Sequence, residues 1–193
     1  MASKFRTRDY RPYDVIHVSA RGYGRRRIFF AEQERVELLD HLRSLLNVIP
    51  ASARPVLLAY ALIDNHIHLL FHLGSDALAV RQIVGTLKQQ FARRHNERHG
   101  RTGPVWESPY RGRVVRGGED LVNVVAYIHL NPDSSLRDQN SSHAIYTGQK
   151  ASGIVDTRLV LKTFGGREQY IEFFSDTARL RGARTAARAR IHQ

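Results

Sequence analysis

The chain has 193 residues, room for one domain with a real core and a short extension. It carries 30 Lys and Arg against 18 Asp and Glu, a net charge of +12, which points to a polyanionic partner. With no cysteine, disulfides and thiolate metal sites are excluded, and no uncharged apolar run is long enough to span a membrane.

Residues 13–20 alternate weakly and predict a first strand, ending at the flexible Arg21-Gly22-Tyr23-Gly24. Residues 31–49 carry Val36, Leu38, Leu39, Leu42, Leu45 and Leu46 at helical spacing and stop at Pro50. Residues 56–63 and 66–73 then read as two strands with turn chemistry at Asp64-Asn65, or as one bent strand. A second helix is expected over 76–99, with Lys88, Arg93, Arg94 and Arg98 in its later turns and Gly100 to stop it. Short extended pieces at 105–106 and 113–116 precede a third helix over 119–130, which Pro132 prevents from continuing simply.

The order βαββαβα predicts an α+β fold, a ferredoxin-like sandwich with an antiparallel sheet. It would occupy residues 10–132. Residues 133–175 form a C-terminal extension, loop-like over 133–153, with two short helices at 157–164 and 167–174. The tail, 176–193, sets Arg181, Arg184, Arg188 and Arg190 among alanines, either as a helix formed on a polyanion or as a flexible basic arm. Residues 1–6 lack the apolar core of a secretory signal, so a cytoplasmic, nucleoid-associated location is expected.

Within 66–73, alternation puts His66 and His68 on one face and Ile67, Leu69, Phe71 and Leu73 on the other. Two imidazoles on one rigid strand are placed to share a metal ion; taken alone, they are equally two exposed or hydrogen-bonded histidines. Asp64 has the same parity and is a candidate ligand or acceptor orienting an imidazole, whereas His72 lies far along the strand. On the third helix Leu121, Val124, Val125 and Ile128 make the apolar stripe, while Asp120, Asn123, Tyr127 and Asn131 follow a polar edge. Tyr127 and Asn131 thus present a phenol and an amide one turn apart, unless Asn131 only caps the helix. Tyr10, Tyr13, Tyr23, Trp106 and Tyr110 are interleaved with arginines, a mixture suited to unstacked bases in single strands and hairpins. Candidate DNA contacts are Arg21, Arg25, Arg26, Arg27, Lys88, Arg93, Arg94, Trp106, Arg111, Arg113, Arg181, Arg184 and Arg188.

Three stretches carry a family resemblance: His17-Val18-Ser19-Ala20-Arg21-Gly22, Tyr60-Ala61-Leu62-Ile63-Asp64-Asn65-His66-Ile67-His68-Leu69-Leu70 and Tyr127-Ile128-His129-Leu130-Asn131-Pro132. With these, the chain resembles the REP-associated tyrosine transposases, a branch of the single-tyrosine HUH transposases. The resemblance implies that His66 and His68 bind a metal, that Asn131 is a third polar ligand, and that Tyr127 is the nucleophile. It implies Mg²⁺ or Mn²⁺ as cofactor, and two imidazoles with an amide oxygen suit manganese better. The implied partner is single-stranded or hairpin DNA at palindromic repeats, handled by a monomer or by a homodimer. The implied reaction is cleavage and strand transfer through a 5′-phosphotyrosine, with His129 a candidate neighbouring base. Relatives usually have proline where Asp64 stands, and a basic, glycine-containing turn where this chain has Asp133-Ser134-Ser135. The rival readings are a non-catalytic nucleic-acid-binding module and a metallonuclease that uses water.

Overall fold

The computed structural model describes residues 10–107, 109–151 and 153–176, together with 180 and 185. The arginine tail residues Arg181, Arg184 and Arg188 lie outside the described residues. Four strands, β1 (Val15–Arg21), β2 (Val56–Ile63), β3 (His66–His72) and β4 (Arg111–Val115), form one antiparallel sheet in the order β2-β3-β1-β4. Helices α1 (Glu32–Asn47), α2 (Ala79–His99) and α3 (Gly117–His129) complete the expected βαββαβα order. Strands β2 and β3 are separate and pair as a hairpin through Asp64-Asn65. Gly100 ends α2 in the left-handed conformation at φ 58°, which glycine adopts without a Cβ clash.

The register sorts the strands into two chemically different faces. His68 lies opposite Ser19 and Ala61, and His66 opposite Arg21 and Ile63; His17 lies between Leu70 and Arg113. Paired residues share a face, so His17, Ser19, Arg21, His66, His68, Arg111 and Arg113 all point the same way. Ile16, Val18, Ala20, Ile67, Leu69, Phe71 and Val114 point the other way and are buried. The sheet therefore has an apolar face, served by the packed pair α1 and α2, and a histidine–arginine face covered by α3.

Behind α3 the chain continues with α4 (Arg137–Asn140), α5 (His143–Tyr146), α6 (Arg158–Phe164) and α7 (Arg167–Ser175). The polar stretch 133–153, expected as loop, instead contains short helices and buries Ser141, Ser142, His143 and Tyr146. Backbone polar groups on the β2 edge are the reason. The Ser142 amide donates to the Tyr60 carbonyl, the Tyr60 amide donates to Ser142 Oγ, and the Tyr146 hydroxyl donates to the Leu58 carbonyl at 2.5 Å. An edge strand that would otherwise expose unpaired groups is covered. Tyr146, Val160, Tyr170 and Phe174 join the same hydrophobic core as the sheet.

Candidate active site

Helix α3 is fixed over the histidine face by a buried ion pair. Arg113 on β4 grips Asp120 in the first turns of α3 with two hydrogen bonds, at 2.7 and 3.0 Å, and Asp120 also accepts from the Arg116 amide. Two turns on, Tyr127 meets the histidines edge-on, its ring centroid 5.3 Å from that of His68 and 6.3 Å from that of His17. One further turn brings Asn131 Oδ1 to 3.0 Å from His66 Nε2. That oxygen is directed at the imidazole and not at the helix end. The site opens as a pocket lined by Ser19, Arg21, His66, His68, Glu107, Arg111 and Tyr127.

The ring nitrogens are held by different partners. Asn65 Nδ2 donates to the Arg25 carbonyl, which turns Asn65 Oδ1 toward His66 Nδ1 at 2.6 Å. His66 therefore donates from Nδ1, and its Nε2 lone pair faces the oxygen of Asn131. His68 Nδ1 lies 2.9 Å from His17 Nε2, while His68 Nε2 is buried with no hydrogen-bond partner. Burial holds His68 well below the ordinary imidazole range, reinforced by His17, His66 and Arg21, and it also lowers His66. Burial, with Arg113 beside it, pushes His17 down to about 3. All three are neutral at pH 7, the form that ligates metal. An orphaned buried nitrogen and a lone pair facing an amide oxygen are both satisfied by a cation, so His66, His68 and Asn131 fit a divalent ion.

Other expected residues fall elsewhere. Asp64 does not orient an imidazole: its carboxylate pairs with Arg35 and with Arg27 at 3.3 Å. His129 is not a base beside Tyr127, because two helical positions turn it to the back of α3. There it bonds Ser142 Oγ at 2.7 Å and the Tyr170 hydroxyl at 2.8 Å. Trp106 is a core residue and no stacking platform; it is 7 % exposed, and its indole N–H donates to the Lys88 carbonyl. Lys88 in turn is half-buried, reaching the Glu107 carbonyl at 3.4 Å with its ammonium over the Trp106 ring. Arg113 is committed to Asp120. Arg21, Arg25, Arg26, Arg27, Arg93, Arg94 and Arg111 are exposed. Arg21 and Arg111 border the pocket, and Arg25–Arg27 form a loop that folds tightly over Gly22, where a Cβ would lie 2.2 Å from the Arg26 carbonyl oxygen. Among the described residues no helix is long and apolar enough to cross a membrane.

Sequence reasoning missed His17 and Asn65 as groups that orient the two imidazoles. It also missed a second set of metal-capable side chains, Glu34, His95 and His99, between α1 and α2.

The model of the IS200-like transposase family matches residues 16–131, a span that runs from β1 to Asn131 and takes in the whole site. The chain belongs to that family. Among solved structures, that of a REP-associated tyrosine transposase bound to a REP hairpin aligns with a TM-score of 0.60 at 17 % identity. The alignment covers 80 % of this transposase chain and 94 % of that one, and it shows a shared fold. No curated protein matches.

Proposed function

We propose that this transposase cleaves and rejoins single-stranded DNA at hairpin-forming repeats, with Tyr127 as the nucleophile. The observation that carries the reading is the pair His66 and His68, each with Nδ1 occupied by a partner, beneath the edge of Tyr127. Membership of the family supports it, as does the hairpin held by the solved relative.

A divalent ion, Mg²⁺ or Mn²⁺, held by His66, His68 and Asn131 would supply the positive charge that polarises the scissile phosphate. The protein's own groups do the rest. Arg21 and Arg111 at the pocket rim attract the phosphodiester backbone and hold it over the ring. The Tyr127 oxygen attacks phosphorus, forming the phosphotyrosine bond as the bond to the 3′-oxygen breaks; the departing oxygen takes up a proton. Because the adduct is still a phosphodiester, the 3′-hydroxyl of another strand can reverse the step and join DNA.

The test is covalent capture. A hairpin with a single-stranded flank, labelled 3′ of the cut, should attach to the wild-type protein in the presence of Mn²⁺ and not after chelation. Tyr127→Phe removes one oxygen, so hairpin binding should persist while the adduct disappears. Cleavage by Tyr127→Phe at the wild-type rate, with no adduct in either protein, would assign the reaction to water. Binding without cleavage in both would leave a DNA-binding module.

A further inference from the structure

The apolar face of the sheet carries a polar cluster of its own. At the start of α1, Glu34 turns back so that Oε2 accepts the Phe30 and Ala31 amides at 2.5 and 3.1 Å. Its other oxygen, Oε1, faces α2, where His95 and His99 stand one turn apart. His99 Nε2 lies 2.7 Å from Oε1, and His95 Nδ1 lies 3.9 Å from it. The three ligand atoms are all within 4.8 Å of one another. His95 is 3 % exposed, and its Nδ1, aimed at the carboxylate, has no hydrogen-bond partner. A buried imidazole nitrogen left unpaired beside a carboxylate is costly, and a ligand removes that cost.

We propose that Glu34, His95 and His99 form a second divalent-metal site, of the zinc class, separate from the one beneath Tyr127. Two imidazoles and one carboxylate are a zinc donor set, and His-x-x-x-His on a helix aims both rings from one face. Zinc–ligand bonds of about 2.0–2.1 Å put neighbouring donor atoms about 3.3 Å apart, so closing the site takes only small side-chain movements. Glu37, Arg94, Arg98 and Arg101 also face the cluster, so the carboxylate of Glu34 has cations beside it. Arg98 is the competitor, 3.6 Å from Glu34 Oε1, although it is 43 % exposed and held by both oxygens of Glu37 at 2.9 Å. A cleft between α1 and α2, lined by Glu37, His41, Arg94 and Arg98, reaches the site and gives an ion a way in. The ion would tie the start of α1 to the end of α2. It would also fix Phe30, whose ring packs on both imidazoles and lies beneath Arg27 and Arg101.

Cobalt(II) is the probe, titrated into the full-length protein, with zinc as competitor. Wild-type protein should bind two equivalents, and His66→Ala/His68→Ala should retain one whose absorption has the intensity of a tetrahedral site. Glu34→Gln keeps an oxygen for the two amides, and His99→Gln alters a partly exposed residue. Each should lose that equivalent, and introduced into the His66→Ala/His68→Ala protein each should abolish the rise in Tm on adding zinc; as single variants both should still form the Tyr127 adduct. Arg98→Ala removes no ligand and should tighten cobalt binding several-fold. The site is overturned if the His66→Ala/His68→Ala protein binds no cobalt, or if Glu34→Gln and His99→Gln both keep two equivalents. Neither result bears on adduct formation, which tests the other site.

Discussion

Helix α3 separates two histidine clusters that differ in how their ring nitrogens are bonded. In front, His66 and His68 have one nitrogen each held by a partner and the other turned to a lone amide oxygen or to nothing. Behind, both nitrogens of His129 are bonded, to Ser142 and Tyr170, and Tyr170 also lies 3.4 Å from His143. Both clusters are buried, aromatic and neutral. Between these two clusters, among the described residues, the buried ring nitrogen without a partner belongs to the front one, at His68 Nε2, and that cluster opens on a pocket. Burial therefore does not distinguish a site from a core network; incomplete hydrogen bonding does.

The sharpest way to break this contrast is to remove front imidazoles. His68→Ala should cut adduct formation by on the order of 10³-fold or more, since several kcal/mol of charge stabilisation go with the ligand. His17→Ala leaves both ligands in place and frees the His68 ring, a change worth about 10–100-fold. Raised Mn²⁺ should recover much of the rate of His17→Ala and little of that of His68→Ala. Equal rescue of the two would mean that His17 does not act through the metal.

At the back, His129→Ala should do the reverse. It opens a cavity and takes one partner from each of two buried hydroxyls, so unfolding in urea should show a loss of about 2–5 kcal/mol. The folded fraction should form the adduct at the normal rate. A rate loss beyond the loss of folded protein would place His129 in the chemistry after all.

What was legible from sequence divides along the same line. The parity of His66 and His68 and the one-turn spacing of Tyr127 and Asn131 are local properties of a strand and a helix, readable without a fold. His17 is 51 residues from His68, and only the β1–β3 register brings them together. Arg113 and Trp106 were misread for the same reason. An arginine or an indole in a basic stretch looks like nucleic-acid surface until Asp120 and the Lys88 carbonyl are seen beside it. Residues 133–153 looked like loop because they are polar, but Ser142 and Tyr146 among them are the groups that close the β2 edge.

Acid should weaken the back cluster in a defined window. Burial pushes His143 down to about 4, against an ordinary value near 6.5. A histidine whose folded value is depressed takes up its proton first in the unfolded chain. Its contribution to stability is thus complete above pH 6.5 and is lost as pH falls from 6.5 toward 4. His143→Phe should flatten the dependence of the urea midpoint on pH in that window, by at most about 1.4 kcal/mol per pH unit. A slope unchanged by the substitution would mean that other groups set it.

The smallest expected effect concerns charge and compares the two sides directly. Arg111 is exposed at the rim of the front pocket; Arg158, also exposed, sits on α6 behind α3 and pairs with Asp156. If DNA runs along the front, Arg111→Ala should weaken hairpin binding a few-fold. It should also lower the slope of log affinity against log salt by about 0.7–0.9, the counterion release of one phosphate. Arg158→Ala removes the same charge from the same protein, so long-range attraction falls equally in both variants. Any difference between their slopes is therefore local contact. Identical slopes would mean that the net charge of +12 acts as a diffuse field and that the front of α3 is not the path of the strand.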